Sequence, residues 1–173
     1  SFGCLDNIGK MVKKHNSAIM READPNERMC NCPRNTRDNC PLDGQCYMKN
    51  VVYNAEVSTD NGNTSKDYIG ISKPPFKKRL AVHKKSFEDR EYDPSGLSDY
   101  IWELKDKCVN YNIKWTLLRK TAGYKSVTKS CNLCLTEKLL IAEYKDKEKL
   151  INKRNELVSK CRHDGNYILG KYG

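Results

Sequence analysis

The chain has 173 residues, 38% of them hydrophobic, enough for one modest core with an appendage and too few for two large domains. Lysine and arginine number 32 against 22 acidic residues, and the formal net charge of +10 favours phosphate-rich partners, nucleic acid before an anionic membrane surface. No apolar run reaches the roughly 20 residues of a spanning helix, and the start "SFGCLDNIGKMVKKHN" lacks the apolar segment of a signal peptide, so no membrane partner is expected.

The first residue is Ser1 rather than Met, which fits a fragment of a longer polypeptide. Residues 9–20 set Met11, Val12, His15, Ile19 and Met20 at helical spacing, and residues 1–28 are read as a helical connector from an upstream polypeptide. Residues 29–47 are rich in Pro, Asn, Asp and Cys without sustained periodicity, and such a stretch orders only around something like a metal. Nine cysteines, an odd count with close pairs in "CNC" and "CNLC", favour thiolate-metal sites over a disulfide framework. Cys30, Cys32, Cys40 and Cys46 suit a tetrahedral structural zinc, against the blander reading of unpaired thiols. Cys4 and Cys108, with no close cysteine neighbour, are expected to be small buried hydrophobes.

The main domain is placed at 48–173. "KNVVYNAEVSTDNGNTSKDYIGIS" reads as a hairpin around the Asn61-Gly62 turn, and Gly70 lets another group approach the second strand closely. A helix over 76–87 follows, with Phe76, Leu80 and His83 on one face and Lys77, Lys78, Arg79, Lys84 and Lys85 around the rest. A second helix is expected from Ser98, a third strand over 113–119, and a helix after Lys129 with Leu135, Leu139 and Tyr144 as its apolar stripe beside Glu137. The order strand, strand, helix, helix, strand, helix predicts an α+β domain with a small three-stranded antiparallel sheet flanked by helices. Within it, Cys131, Cys134, Cys161 and His163 form a CxxC followed by CxH, a possible second zinc site tying the last predicted helix to the C-terminal segment.

Phosphodiester cleavage needs a metal on a hard oxygen ligand, a base for water and a cation near the phosphoryl oxygens. Tyr53 and Tyr68 lie on paired strands, Arg79 and His83 are one helical turn apart beside a strand end, and Glu137 sits on a later helix. Taken singly, each tyrosine is a half-buried strand residue, Arg79 a solvated charge, His83 an ordinary imidazole and Glu137 a partner for Lys138 or Arg154; their order and spacing together carry the signal.

That order resembles the GIY-YIG nuclease family. Tyr68-Ile69-Gly70 is the second half of its signature, and Val51-Val52-Tyr53 keeps the tyrosine of the first half but not the glycine. Arg79, His83, Glu137 in "CLTEKLLIAEY" and Asn152 in "LINKRNEL" match the arginine, His or Tyr, metal-binding glutamate and asparagine that follow in the family. The lead-in "CNCPRNTRDNCPLDGQCYMKNVVY", with "YIWELKDK", "CNLCLTEKLLI" and "LINKRNELVSKCRH", is similar to the endonuclease module of Penelope-like retroelements. The resemblance implies a GIY-YIG nuclease fold, Mg²⁺ or Mn²⁺ held by Glu137, and a nuclear enzyme that nicks DNA to give a 3′ end for target-primed reverse transcription. It also implies an upstream reverse transcriptase domain in the same polypeptide, with element RNA as a further candidate partner. Tyr53 or Tyr68 would orient or activate water, His83 or Lys73 would assist proton movement, and Arg79 would offset charge on the phosphoryl oxygens. The rival class is a zinc-stabilised nucleic-acid-binding module without catalysis.

Overall fold

Alternation along "VVYNAEVST" gives β1 (Val51–Thr59) two inward faces, because Val51, Tyr53, Ala55 and Val57 point to one side and Val52 to the other, all of them buried. The computed structural model describes residues 30, 32, 40–59, 65–125, 127, 130–152 and 161. The connector 1–28 with its helix at 9–20, the hairpin turn at 60–63, Cys4, Arg154 and His163 lie outside these residues. β1 is the central strand, flanked by antiparallel β2 (Ser65–Ser72) and β3 (Tyr111–Lys120). The register pairs Tyr53 with Gly70 on one side and Leu117 on the other, and opposite the Val52–Tyr53 step β3 bulges, leaving Leu118 as the extra residue without a β1 partner.

On one face lie α1 (Phe76–Glu88) and α2 (Gly96–Asp106), which bury Phe76, Leu80, Phe87, Leu97, Ile101 and Leu104 against Tyr53, Ala55, Val57 and Tyr68. On the other lies α3 (Asn132–Glu143), packing Leu133, Cys134 and Ile141 against Val52, Ile69 and Ile71. Among the described residues the fold is thus α+β, with a small three-stranded antiparallel sheet and three α-helices. A minor pair, β4 (Tyr124–Lys125) and β5 (Ser130–Cys131), leads into α3. Among the described residues no helix is long and apolar enough to cross a membrane.

Several expectations shift in detail. α2 starts at Gly96 with Ser95 as its cap, and Ser98 is the reciprocal partner in a capping box rather than the cap. The buried residues of α3 are Leu133, Cys134, Thr136, Glu137, Lys138 and Ile141, with Leu135 and Leu139 only half-buried, because the helix turns a different face to the sheet from the one expected. Cys108 is exposed instead of buried: at φ 52° it ends α2, with Val109 N–H donating to Leu104 O at 2.9 Å and Cys108 N–H to Lys105 O at 2.9 Å.

β2 is an edge strand, and its outer edge is covered. Ile151 N–H donates to Asp67 O at 2.8 Å, and the Asn152 carboxamide clasps Ile69 from both ends, accepting from its N–H and donating to its carbonyl, each at 2.8 Å.

Candidate active site and metal centres

The two tyrosines of the hairpin share a face because Tyr53 and Tyr68 belong to the same side of a two-residue repeat across the β1–β2 register. Gly70 sits between them. A Cβ there would lie 2.5 Å from Tyr53 Oη and 2.8 Å from a Tyr68 ring carbon, so the close approach that glycine permits is that of the tyrosine rings themselves.

α1 brings His83 and Arg79 onto the same spot. Tyr53 Oη and His83 Nε2 are 2.6 Å apart, and Arg79 Nε–H donates to Tyr53 Oη at 3.5 Å. The arrangement that gives each atom one role has Arg79 donating to Tyr53 and Tyr53 donating to His83 Nε2, with the imidazole hydrogen on Nδ1. Tyr53 is 0% and His83 1% exposed, and the imidazole is walled by aromatic rings: Phe87 stacked at 6.0 Å, Trp115 at 5.5 Å and Tyr68 edge-on at 6.2 Å between centroids. Burial, and secondarily the Arg79 charge, hold the His83 pKa down to about 3, with Asp93 opposing weakly, so the ring is neutral at neutral pH. Burial and the nearby Tyr68 push the Tyr53 phenol above its ordinary value, Glu137 adds to the rise, and Arg79 opposes it. Burial works against the Arg79 cation, but Tyr53 and Asp93 outweigh it and raise the guanidinium pKa.

Tyr68, Lys73, Lys78, Arg79, Asp93 and Asn152 line one cleft of about 860 Å³ between the end of β2, the first turn of α1 and the start of α2. Of the residues singled out in the sequence, Tyr68, Lys73, Arg79 and Asn152 therefore share the cleft, while Tyr53 and His83 stand directly behind Arg79. Glu137 is 1% exposed and is not among the cleft-lining residues, although Ile141, one turn further along α3, is. Its charge is close enough to act on Tyr53. The visible part of Asn152 is mechanical, since both ends of its carboxamide hold the chain to Ile69.

Cys30, Cys32, Cys40 and Cys46 gather their sulfurs within 4.8 Å of one another, as do Cys131, Cys134 and Cys161; either group could hold a metal such as zinc. Sulfurs about 2.3 Å from a tetrahedral zinc lie about 3.8 Å apart. The Cys30–Cys46, Cys32–Cys46 and Cys134–Cys161 separations of 3.5, 3.6 and 3.7 Å match that edge and are far too long for a disulfide near 2.05 Å. In the first group burial raises the Cys40 thiol, but the main chain at Leu42 and Gly44 and the Cys30 thiol overcome it and bring the pKa to about 7. Burial and the neighbouring thiols push Cys46 up and the Cys30 thiol raises Cys32, so the group as a whole becomes thiolate only with a cation to hold it. The sequence-predicted fourth ligand of the second group, His163, lies outside the described residues.

The first cysteine group also holds the basic helix. Pro75 at the start of α1 offers no side-chain cap, and the orphan amides are met by the preceding loop: Phe76 N–H donates to Met48 O at 3.0 Å and Lys77 N–H to Cys46 O at 2.8 Å. A metal at Cys46 would therefore fix the end of the helix that carries Arg79 and His83. Sequence reasoning did not find this contact, because it is made by main-chain atoms; the signal was a helix beginning at proline without Ser, Thr, Asp or Asn before it. Trp115, Phe87 and Asp93 were missed as well. The chain matches no protein-family model, no curated protein and no solved structure.

Proposed function

We propose that the chain is a divalent-metal-dependent DNA endonuclease of the GIY-YIG type that nicks target DNA by phosphodiester hydrolysis. The observation that carries the reading is the Arg79–Tyr53–His83 chain of contacts set behind a cleft that Tyr68, Lys73 and Lys78 line together with Asp93 and Asp99. Tyr68 stands at the cleft wall and orients the attacking water. Arg79 offsets charge developing on the phosphoryl oxygens, and its position is shared with Tyr53. The neutral His83 accepts the Tyr53 hydrogen bond and so fixes the direction of the hydroxyl that Arg79 shares. Exposed lysines of α1, Lys77, Lys78, Lys84 and Lys85, hold the DNA backbone without reading sequence.

In this reading the buried Glu137 carboxylate would hold the hard cation, since Mg²⁺ or Mn²⁺ takes one or two carboxylates and completes its shell from phosphate and water. Such an ion would supply charge neutralisation at the scissile phosphate and a lowered pKa for bound water. Zinc in the two cysteine groups would be structural. The wider role follows from the resemblance: the nick gives a 3′ end to an upstream reverse transcriptase of the same polypeptide, in the nucleus.

A second reading, a non-catalytic zinc-stabilised nucleic-acid-binding module, draws support from the burial of Tyr53, His83 and Glu137 at 0%, 1% and 1% exposure. Conversion of supercoiled plasmid to open circle separates the two. The endonuclease reading expects Mg²⁺- or Mn²⁺-dependent nicking that EDTA stops and Glu137→Ala abolishes. Plasmid binding without nicking under any divalent cation, or full activity in Glu137→Ala, would overturn it.

A further inference from the structure

We propose that Asp93 is a positioning residue for Arg79; its catalytic consequence rests on the endonuclease reading, its geometry does not. Arg79 Nη1–H donates to Asp93 Oδ2 at 2.7 Å, while its other contact, Nε–H to Tyr53 Oη, spans 3.5 Å. A bond of 3.5 Å does not orient a guanidinium by itself, so the shorter bond fixes the plane of the fork and with it the direction of Nε. The remaining N–H groups of Arg79 belong to a side chain that lines the cleft.

Two further observations point to Asp93 in particular. Its φ is 44°, a left-handed backbone ahead of Pro94, where the following ring restricts the conformation further; Asp and Asn adopt that region most readily among residues with a Cβ. The strained position is held from both sides, by Tyr92 N–H donating to Asp89 O at 3.2 Å and by Ser95, which opens the α2 capping box. The second observation is electrostatic. A carboxylate lining the cleft opposes a phosphate ligand, and as a half-exposed ion pair it contributes little to stability. Orientation of Arg79 accounts for it where affinity and stability do not.

The test compares Asp93→Ala with Asp93→Asn, which keeps both an acceptor and the tolerance for a left-handed backbone. Three quantities are read in the full chain: the nuclear Overhauser contact between the Arg79 Nε–H and the Tyr53 ring, the single-turnover nicking rate at saturating plasmid, and the Kd for duplex DNA. In Asp93→Ala the contact disappears, the saturating rate falls about tenfold or more, and DNA binds as tightly as before or more tightly. Asp93→Asn retains the contact and most of the rate. A residue that merely supported the loop would lower affinity and thermal stability together, not rate alone. Persistence of the Arg79–Tyr53 contact in Asp93→Ala, or a saturating rate within about twofold of wild type, overturns the proposal. If the wild-type chain does not nick at all, the endonuclease reading falls, and the Overhauser contact still decides the positioning role.

Discussion

The two faces of the sheet handle buried polarity in opposite ways. On the α1–α2 face, Tyr53 and His83 are neutral, bonded to one another and enclosed by Phe76, Phe87, Trp115 and Tyr68. On the α3 face, the buried groups are ionisable: Glu137 and Lys138 at 1% and 5% exposure, and the thiols of Cys131, Cys134 and Cys161. Buried neutral groups need only hydrogen bonds, whereas buried charges need partners or a metal. The first face therefore sets its buried Tyr53–His83 pair by packing and keeps its candidate metal group at the loop before α1, whereas the second places its cysteine group within the α3 packing itself.

The largest expected difference lies in catalysis. Arg79→Ala, on the packed face, should lower the nicking rate by about 10²–10³-fold while DNA affinity changes only a few-fold, because the α1 lysines still hold the backbone. A parallel loss of affinity and rate, measured by filter binding and plasmid conversion, would place Arg79 in general backbone contact instead.

Next comes stability. Cys134→Ser, within the core of the α3 face, should lower Tm on the order of 10 °C, and Cys46→Ser, buried beside the start of α1 on the other face, by a comparable or smaller amount. Hydrogen exchange sharpens the contrast: Cys46→Ser should speed exchange at Phe76 and Lys77, whose amides its loop caps, and leave α3 protected. Equal loss of protection in α1 and α3 would break the distinction between the faces.

The smallest effect is a pH dependence. His83 has a folded pKa of about 3 against an ordinary 6.5, so between those values the unfolded chain binds the extra proton and stability falls as pH drops from about 6.5 towards 3. His83→Gln should flatten that limb in urea titrations at stepped pH. An unchanged slope would mean that other groups carry it.

Much of the packed face was legible because periodicity encodes it. A two-residue repeat put Tyr53 and Tyr68 on one side, and a one-turn spacing put Arg79 under His83. The hairpin followed from turn chemistry, and the three-stranded antiparallel sheet from the succession of strand and helix patterns. What escaped was non-local. Asp93 sits in "EDREYDPSG", a turn with no periodic signal, and it meets Arg79 only through the tertiary fold. The aromatic wall around His83 draws Trp115 from the far strand of the sheet and Phe87 from the next helical turn. The phase of α3 was misjudged because leucines run along most of "NLCLTEKLLIAE", leaving several equally apolar stripes from which only packing selects. Asn152 was singled out for chemistry, and its visible bonds are to an edge strand.

The central claim is that Glu137, from one face, and Tyr68 and Arg79, from the other, serve a single phosphate. A structure of the chain with Mn²⁺ and a nicked or phosphorothioate duplex, with the manganese located by anomalous scattering, tests it most directly. The account predicts a manganese ion on the Glu137 carboxylate and a DNA phosphate within hydrogen-bond reach of Arg79 and Tyr68. A duplex lying on the α1 lysines with its phosphates away from Tyr68, and no manganese at Glu137, would contradict it.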